Sequence, residues 1–321
     1  MQAVDTDELK RNSHISRAKF GLPAAPPGEA GAPVCSLCSN LCRPDEGSTG
    51  FCGVRANRNG AVRSIAPEGV ILADFYYDPL PTNCCAAWFC PGSKEKGVNL
   101  AVFLYGCNFD CLFCQNASHR RVDSAPHIPL EHLVKAALRE EVRCVCFFGG
   151  SPEPQLQLAV EAAREIIQRS SRRIHICWEW NGAGNPALVK QAVEISHDSG
   201  GTVKFDLKAW SPSLGKVLCG VSIERTYQNL RLLWNHFQNP ELLTATTLLV
   251  PYYVDESEVE NIACFLAELS PDFPYSLLVF HPEDRMNDLP VTPRSQVEAA
   301  LKAARNYLRR VHAGNLHLLS D

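Results

Sequence analysis

The sequence predicts an α/β fold, in which a small cysteine-rich metal module precedes a partial barrel of six strand–helix units. Six apolar strand-like runs alternate with amphipathic helical patterns from residue 96 onward, which is typical of a parallel sheet. Polar and glycine-rich segments directly follow these runs, at the strand ends where parallel α/β folds form their sites. Before residue 96 the chain has few long periodic segments and groups its first seven cysteines among many glycines and prolines.

Each predicted barrel strand is a short run rich in apolar residues. In chain order the runs are NLAVFLY (99–105), CVCFF (144–148), IHICWEW (174–180), TVKFDLK (202–208), LLTATTLLV (242–250) and YSLLVF (275–280). Helical periodicity marks stretches such as LEHLVKAALREE, LQLAVEAAREIIQR, PALVKQAVEISHD, SEVENIACFLAEL and SQVEAALKAARNYL. Six strands that are each followed by a helix imply a parallel sheet with right-handed crossovers. A doubly wound sheet also fits this order, but the polar segments at successive strand ends favour the partial barrel.

Composition divides the chain into three segments. Residues 1–33 are polar and then rich in alanine, proline and glycine, which predicts a flexible N-terminal tail. Residues 34–95 contain the cysteine-rich module and an irregular connector. Residues 96–321 form the predicted barrel.

Charge and hydropathy exclude several kinds of partner. The 321-residue chain has a net charge of −4, so no strong field attracts nucleic acid or an anionic membrane. No apolar stretch reaches the roughly 18 residues that span a bilayer, and the N-terminus lacks the apolar run of a signal peptide. We therefore expect a reducing cytoplasmic location, where fifteen cysteines indicate metal binding or redox chemistry instead of disulfides.

Three cysteines with the spacing C-x3-C-x2-C follow the first predicted barrel strand. They are Cys107, Cys111 and Cys114. Three thiolates can bind three irons of a 4Fe–4S cluster and leave the fourth iron open for a small chelating molecule. A zinc loop or a chance spacing is the alternative. The position after a strand and the motifs downstream favour the cluster.

This motif, in a loop after the first strand of a partial barrel, resembles the signature of radical S-adenosylmethionine (SAM) enzymes. The resemblance implies that the methionine part of SAM chelates the open iron. An electron from a donor such as flavodoxin or ferredoxin would then cleave SAM to methionine and a 5′-deoxyadenosyl radical, which abstracts hydrogen from a substrate. The cofactors carry that chemistry, while the protein positions them and excludes water.

Two further segments resemble the SAM-binding parts of this family. Phe113 occupies the aromatic position before the last cysteine, and the backbone at this position faces the adenine in the family. Gly149 and Gly150 begin GGSPEP, which is similar to the GGEP-type loop that contacts the SAM amino group, with Glu153 as its acid. Two residues separate this acid from the glycines, so the match is closer to the GGxPxP form of some pyruvate formate-lyase-activating-enzyme homologues. An ordinary strand-to-helix turn would explain the shape but not the paired glycines.

Polar residues end the next two strands. Glu179 and Asn181 fall on one side of an extended chain and could hydrogen-bond ribose hydroxyls, with a helix N-terminal turn as the alternative. Asp206 and Lys208 also face one way, and the family's activating enzymes have the same DLK with the lysine near the SAM carboxylate. A structural ion pair inside the barrel is the alternative for that pair. His281, late in the chain, is a further candidate.

The N-terminal module contains a second predicted metal site, formed by Cys35, Cys38, Cys42 and Cys52. Four thiolates can close a site around zinc or around a second 4Fe–4S cluster, and the residue types do not separate the two. The pattern CxxCxxxC…GxCGVRxN before the barrel is similar to that of the radical SAM enzyme of the AmmeMemoRadiSam system. Some pyruvate formate-lyase-activating-enzyme homologues have the same arrangement.

Two groups of cysteines fit none of these motifs. Cys84, Cys85 and Cys90 depart from the related enzymes, and we interpret them as free buried thiols. Cys144 and Cys146 share one strand face and are most simply core residues.

The sequence therefore predicts a radical SAM enzyme that abstracts hydrogen from a substrate that the residues do not identify. A small-molecule substrate would make it similar to the AmmeMemoRadiSam enzyme. One alternative is a glycyl-radical-enzyme activase that acts on a partner protein. Another alternative is a non-catalytic iron–sulfur or zinc binding module.

Overall fold

A sheet of nine strands forms the centre of the computed structural model, which describes residues 17–319. Numbered in chain order, the strands are β1 (Arg55–Arg58), β2 (Ala61–Ser64), β3 (Val70–Pro79), β4 (Val98–Leu104), β5 (His127–Pro129), β6 (Val142–Gly149), β7 (His175–Trp180), β8 (Val203–Asp206), β9 (Leu243–Leu249), β10 (Tyr275–Val279) and β11 (Val311–Gly314). The order in the large sheet is β11-β10-β9-β8-β7-β6-β4-β3-β5, and β1 and β2 form a separate antiparallel pair. The strands from β11 to β4 are parallel, while β3 and β5 are antiparallel additions at one edge.

Helices connect the parallel strands, as the crossovers of such a sheet require. They are α1 (Leu130–Ala137), α2 (Leu156–Arg169), α3 (Pro186–Ser199), α4 (Pro212–Cys219), α5 (Glu224–Phe237), α6 (Glu256–Leu269) and α7 (Arg294–Arg305). Short 3-10 turns lie at Pro91–Lys94, Ala117–Arg120, Val122–Ser124, Glu153–Gln155, Asp284–Met286 and Leu316–Leu318. The six predicted barrel strands and the α/β fold class are confirmed. Among the described helices, none has both the length and the apolar composition to cross a bilayer.

The structure adds elements that the sequence analysis misses. The connector expected to be irregular contains β3, a ten-residue strand that pairs with β4 and β5. Three consecutive buried residues near its start hide the period-two pattern that marks a half-buried strand. Helices α4 and α5 follow β8, where no helical stretch was singled out. Helix α4 has only eight residues and contains a glycine, so its periodic signal is short.

The central strands have an apolar outer face and a polar inner face. Phe147 and Trp178 stack with 4.6 Å between ring centroids on the outer face, where they join the core beneath the helices. Side chains at alternate positions point the other way, and these include Cys146, Glu179 and Lys204. The inner face therefore lines cavities instead of a filled core.

The segment between β3 and β4 covers the amino-terminal ends of the strands. Glu95 pairs with His175 at the start of β7, with 2.6 Å between the carboxylate and Nε2. Gly92 lies against Cys144 of β6 so closely that a Cβ atom on it would stand 2.7 Å from the sulfur. Residues assigned to the connector thus close this end of the barrel.

The cysteine-rich module packs against the loop that follows β7. Ser39 donates its backbone N–H to the Ala183 carbonyl at 2.9 Å. Asn185 donates its backbone N–H to the Leu37 carbonyl at 2.8 Å. These bonds hold the module beside the carboxyl ends of the parallel strands.

Residues 17–33, part of the predicted tail, contact the rest of the protein. Arg17 is buried, pairs with Asp110 and donates to the Val217 carbonyl at 3.2 Å. Further along, the backbone N–H of Arg43 donates to the Pro27 carbonyl at 2.7 Å. Residues 1–16 lie outside the described part of the chain, and the division into tail, module and barrel stays a prediction.

Gln155 links β3 to the end of β4 through its side-chain amide. The oxygen accepts from the Leu72 N–H (2.8 Å), and the nitrogen donates to the carbonyls of Leu72 (2.9 Å) and Tyr105 (3.0 Å). A Gln155→Leu variant removes this partner from the Leu72 N–H and the Tyr105 carbonyl, at a cost of about 1–3 kcal/mol for each buried group, whereas the Leu72 carbonyl keeps the Tyr105 N–H at 2.9 Å. We expect the free energy of unfolding to fall by about 2–4 kcal/mol in urea denaturation.

The matched control for this prediction is Gln157→Leu, because Gln157 is exposed on α2. Its free energy of unfolding should stay within about 0.5 kcal/mol of the unchanged protein. Equal stability of the Gln155→Leu variant and its control would contradict the assigned role of Gln155.

Candidate active site at the carboxyl ends of the strands

The three-cysteine loop, residues 107–114, is attached to the end of helix α4. The backbone N–H of Asp110 donates to the Cys219 carbonyl, and that of Leu112 donates to the Leu218 carbonyl, both at 2.8 Å. Because these carbonyls lie in the last turn of α4, the loop also satisfies acceptors that the helix leaves open. The helix end therefore fixes the position of the loop.

Of the three cysteines of this loop, Cys111 is buried, whereas Cys107 and Cys114 are half-buried on the cavity side. Cys107 accepts the backbone N–H of Phe109 at 3.3 Å. Burial raises the pKa of Cys107 and of Cys114, whereas a hydrogen bond from Cys219 lowers the pKa of Cys111. Buried thiolates need a compensating positive charge, and a bound metal would supply it.

Asp110, within the loop, pairs with three arginines from different segments. Arg17 and Arg120 each contact one of its carboxylate oxygens, and Arg285 donates to the same carboxylate at 2.8 Å. Arg120 also donates to the Cys111 carbonyl at 3.2 Å. Since the carboxylate is largely buried, these charge-assisted bonds hold the loop in one geometry.

A cavity of about 150 Å³, which we call the outer cavity, opens beside the three-cysteine loop. Its walls contain Cys107, Cys111 and Cys114 together with every predicted SAM-binding residue except Glu153: Phe113, Gly149, Gly150, Glu179, Asn181, Asp206 and Lys208. Four buried polar atoms of wall residues have no hydrogen-bond partner among the described residues. They are Gln115 Nε2, Trp180 Nε1, Asp206 Oδ1 and Thr246 Oγ1.

Gly149 and Gly150 allow the end of β6 to approach neighbouring backbone. Gly149 has a φ of 108°, and a Cβ atom on it would lie 2.5 Å from the Leu104 nitrogen. A Cβ atom on Gly150 would lie 2.2 Å from the Gly106 carbonyl oxygen. Neither position accepts a larger residue without backbone movement, so the paired glycines have a structural requirement of their own.

Glu153 lies behind the wall of the outer cavity, and its expected contact with a ligand stays a prediction. Its carboxylate accepts from the Ser151 hydroxyl and from the Gly182 backbone N–H (2.7 Å). Ser151 in turn accepts from the Asn181 side-chain amide at 3.0 Å. Complete burial raises the pKa of Glu153 to about 7. The acid therefore positions two wall residues, because the chain turns between the glycines and Glu153.

Asp206 and Lys208 form an ion pair on the wall of the outer cavity. One Asp206 oxygen contacts the Lys208 ammonium, and the other oxygen is among the unpartnered atoms. The ammonium also lies 5.4 Å from the centre of the Phe113 ring. Burial is the largest single influence and lowers the pKa of Lys208, but the negative charges of Asp206, Cys111 and Cys219 together raise it further, so the side chain is a cation. Asp206 and Lys208 thus stabilise each other, while one oxygen of Asp206 remains available to hydrogen-bond a ligand.

A second cavity of about 250 Å³, which we call the inner cavity, lies deeper in the barrel. Phe148 and Glu179 line both cavities, so the two adjoin. Five cysteines belong to the inner walls: Cys84, Cys90, Cys144, Cys146 and Cys177. Cys144 and Cys146 are buried as expected of core residues, but they face this cavity instead of the helices.

In the N-terminal module, the thiols of Cys35, Cys38, Cys42 and Cys52 lie near enough to influence one another's pKa. Burial raises the pKa of Cys52 to about 11. Backbone N–H groups point at the sulfurs, from Asn40 to Cys38, from Phe51 to Cys42, and from Val54 and Arg55 to Cys52. Such donors stabilise thiolates and suit a metal site.

One candidate residue lies away from both cavities, and two polar residues near the site were not singled out from the sequence. His281 lines neither cavity, and its Nδ1 lies 3.6 Å from Glu283 at the surface. Asn108, which was not singled out, accepts from Asn181 at 2.7 Å. Thr246 was also missed, although the alternating polar positions of β9 carry a signal for it.

The residues of the outer cavity fit a cluster with a bound organic ligand. Three sulfur donors lie on one side, and one coordination position would remain for the ligand. Beyond them, the unpartnered amide, carboxylate, indole and hydroxyl groups offer both donors and acceptors to a polar molecule. Buried polar groups of this kind are costly unless a partner satisfies them.

Comparison with known proteins agrees with this geometry. Residues 101–266, just over half of the chain, match the family model of the radical SAM superfamily. An uncharacterized protein of Methanocaldococcus jannaschii is 25% identical over 295 residues, which are 88% of this chain and 81% of that protein.

Comparison with solved structures gives partial matches, one of them with a TM-score above 0.5. A radical SAM methyltransferase from Sphaerobacter thermophilus is similar with a TM-score of 0.54 at 12% identity, over 68% of this chain and 66% of that chain. A domain of a pyruvate-formate lyase-activating enzyme from Bacteroides vulgatus has a TM-score of 0.43 at 19% identity, over 53% of this chain and 98% of that chain. The specific link to the AmmeMemoRadiSam enzyme stays a prediction. By its family match, the chain belongs to the radical SAM superfamily, whose members use a 4Fe–4S cluster and SAM.

Proposed function

We propose that this enzyme binds SAM in the outer cavity and abstracts hydrogen from a small polar molecule in the inner cavity. When bound, the cluster and SAM supply reductive cleavage to methionine and a 5′-deoxyadenosyl radical. One observation supports the proposal most. The three-cysteine loop, the unpartnered polar atoms and the Asp206–Lys208 pair share one cavity, which adjoins a second cavity through Phe148 and Glu179.

The cluster side of the site is assigned to three thiolates and an ion pair. Cys107, Cys111 and Cys114 bind the cluster and leave one position for SAM. Lys208 donates to the SAM carboxylate, and the free oxygen of Asp206 accepts from the SAM amino group. The ion pair and burial hold both side chains in place.

The nucleoside side of the site is assigned to the ends of β6 and β7. Gly149 and Gly150 bring backbone close to the ligand, and the Phe113 side chain packs within the wall. Asn181 hydrogen-bonds the ribose hydroxyls, while Glu153 holds it in position through Ser151. Glu179 lies at the boundary between the two cavities.

An electron donor such as flavodoxin or ferredoxin would dock beside the three-cysteine loop. Arg121 and Arg285 are exposed there and line a shallow surface depression with Arg120. Positive charge at this place favours a negatively charged partner and speeds its association.

The inner cavity supports a small polar substrate. Its walls include Asp78, Asn99 and Lys204, and it lies on the barrel side of Glu179. A protein substrate, as for a glycyl-radical-enzyme activase, would have to reach the outer cavity from the surface. The cysteine pattern of the module adds support for a function similar to that of the AmmeMemoRadiSam enzyme.

Replacing Cys111 by Ala should abolish reductive SAM cleavage because the cluster loses one of its three thiolates. After anaerobic reconstitution with SAM and dithionite, we expect 5′-deoxyadenosine to fall to the level of a protein-free control. Circular dichroism should show an unchanged fold.

The control is Cys264→Ala, because Cys264 is an exposed thiol on α6. This variant should form 5′-deoxyadenosine at the unchanged rate. Cleavage by the Cys111→Ala protein at the same rate as its control would show that Cys111 does not bind the cluster.

Lys208→Ala should weaken SAM binding more than it weakens the fold. Loss of a charge-assisted hydrogen bond worth about 1.5–3 kcal/mol would raise the Kd for SAM by about 10- to 150-fold. Equilibrium binding to the reconstituted protein measures this change. Lys190→Ala, at a half-exposed lysine of α3, should leave the Kd unchanged. Unchanged affinity with a lower melting temperature would indicate that Lys208 only forms a structural ion pair.

The N-terminal module is proposed to bind its own metal centre through Cys35, Cys38, Cys42 and Cys52. The N–H donors around these sulfurs support thiolate ligands. We favour a second 4Fe–4S cluster over zinc, because this chain already has to receive one cluster.

A variant with Cys107, Cys111 and Cys114 all replaced by Ala should therefore retain metal. Elemental analysis with Mössbauer spectra separates iron–sulfur from zinc, and we expect about four irons per chain to remain. Additional replacement of Cys38 and Cys42 by Ala should remove this metal. A folded triple variant without metal would refute a separate centre.

A further inference from the structure

Three residues that the proposed SAM site leaves unexplained converge beside the inner cavity, whose walls include two of them, Cys84 and Glu179. The sulfurs of Cys84 and Cys85 and a carboxylate oxygen of Glu179 all lie within 4.8 Å of one another. A tetrahedral ion with bonds of about 2.3 Å to sulfur and 2.0–2.2 Å to oxygen holds such atoms about 3.6–3.8 Å apart. The three donors are therefore already close to the spacing that one ion requires.

The backbone around the two cysteines is held in place. The Cys85 carbonyl accepts from the Trp88 indole (3.1 Å) and from the Ser276 hydroxyl (2.7 Å). The backbone N–H of Ala86 points at the Cys84 sulfur at 3.4 Å. These hydrogen bonds fix the segment that forms the floor of the barrel, so both sulfurs are held beside the carboxylate of Glu179 on β7.

Lys204 contacts two of the three donors and is itself buried. Its ammonium lies 3.4 Å from Glu179 Oε2 and 3.5 Å from the Cys84 sulfur. It also lies 3.1 Å from the sulfur of Cys146. Lysine N–H groups that bond to the donor atoms orient them and offset their charge, as partners outside a coordination shell do.

The charges of this group balance in the presence of a divalent cation. Two thiolates and one carboxylate carry three negative charges, and a divalent ion with the ammonium of Lys204 carries three positive charges. Binding forms two metal–sulfur bonds and releases the two thiol protons to solvent, with no oxidation or reduction. The metal-bound site is neutral, which avoids the large cost of an isolated buried charge.

We propose that Cys84, Cys85 and Glu179 bind a borderline-soft divalent cation of the zinc class at the floor of the inner cavity. Three protein ligands leave the fourth position of a tetrahedral ion open, as in catalytic zinc sites. That position faces the inner cavity and takes an oxygen, nitrogen or sulfur atom of the substrate, a role that rests on the proposed function. Glu179 then belongs to the metal and not to the ribose.

Cobalt(II) tests this site, because thiolate-bound cobalt absorbs in the near ultraviolet and tetrahedral cobalt absorbs in the visible range. The full chain, with its iron–sulfur sites first reconstituted, is titrated anaerobically with cobalt chloride and then with zinc chloride. We expect one equivalent of cobalt to bind tightly and zinc to displace it. Cys264→Ser, at the exposed thiol of α6, should behave identically.

The Cys84→Ser/Cys85→Ser variant should lose this equivalent while keeping its iron content. Glu179→Gln, which preserves both sulfurs, should weaken cobalt binding at least about tenfold and serves if the double variant does not fold. One undiminished equivalent in the folded double variant, or an unchanged cobalt affinity in Glu179→Gln, would overturn the proposal. Cobalt binding does not require SAM cleavage, so the two proposals can fail separately. If cobalt does not bind, the Cys111→Ala experiment still tests the proposed reaction. If SAM is not cleaved, the cobalt titration still tests the metal site.

Discussion

Charged side chains on the inner face of a parallel sheet, fully buried at Lys204 and half-buried at the others, constrain the rest of this structure. The register of β7 and β8 places Glu179 beside Lys204, and the next inner position of β8 is Asp206, whose partner is Lys208. Buried charges are stable only when they are paired and hydrogen-bonded. Apolar side chains therefore cannot fill the barrel interior, and the outer and inner cavities lie beside these charged side chains. The apolar outer face, with Phe147 and Trp178, provides the packing that the interior does not.

The three-cysteine loop depends on a second buried charge. Asp110 is bound by Arg17, Arg120 and Arg285, which come from the N-terminal segment, the turn after the loop and the segment after β10. These segments are distant in sequence, so the loop reaches its geometry only when the tertiary fold is complete. A loop held by three guanidinium groups loses little freedom when it binds a cluster, and this favours tight and well-oriented binding.

The sequence carries strong local signals for some parts of the protein and none for others. The six barrel strands and the three-cysteine loop could be predicted, because apolar runs and cysteine spacing are local properties. The inner cavity could not, because Cys84 and Cys146 meet only through the register of the sheet and the path of the chain beneath it. The direction of the Glu153 side chain depends on the tertiary fold for a related reason. A motif gives the residue type, whereas the turn around Ser151 decides where the carboxylate points.

The closed amino-terminal end of the barrel has a consequence for how such a protein can diverge. The match to the superfamily begins at residue 101, whereas the segment that forms the barrel floor, residues 82–94, precedes it. The floor is joined to the strands through a few contacts, such as those of Trp88 and Ser276. Exchange of residues 82–94 would alter the depth and the lining of the inner cavity without changing any residue that matches the superfamily. The lining of the inner cavity is therefore divided between this segment and strand residues inside the family match, such as Cys146 and Lys204, and only the first part can change without altering the matched strands.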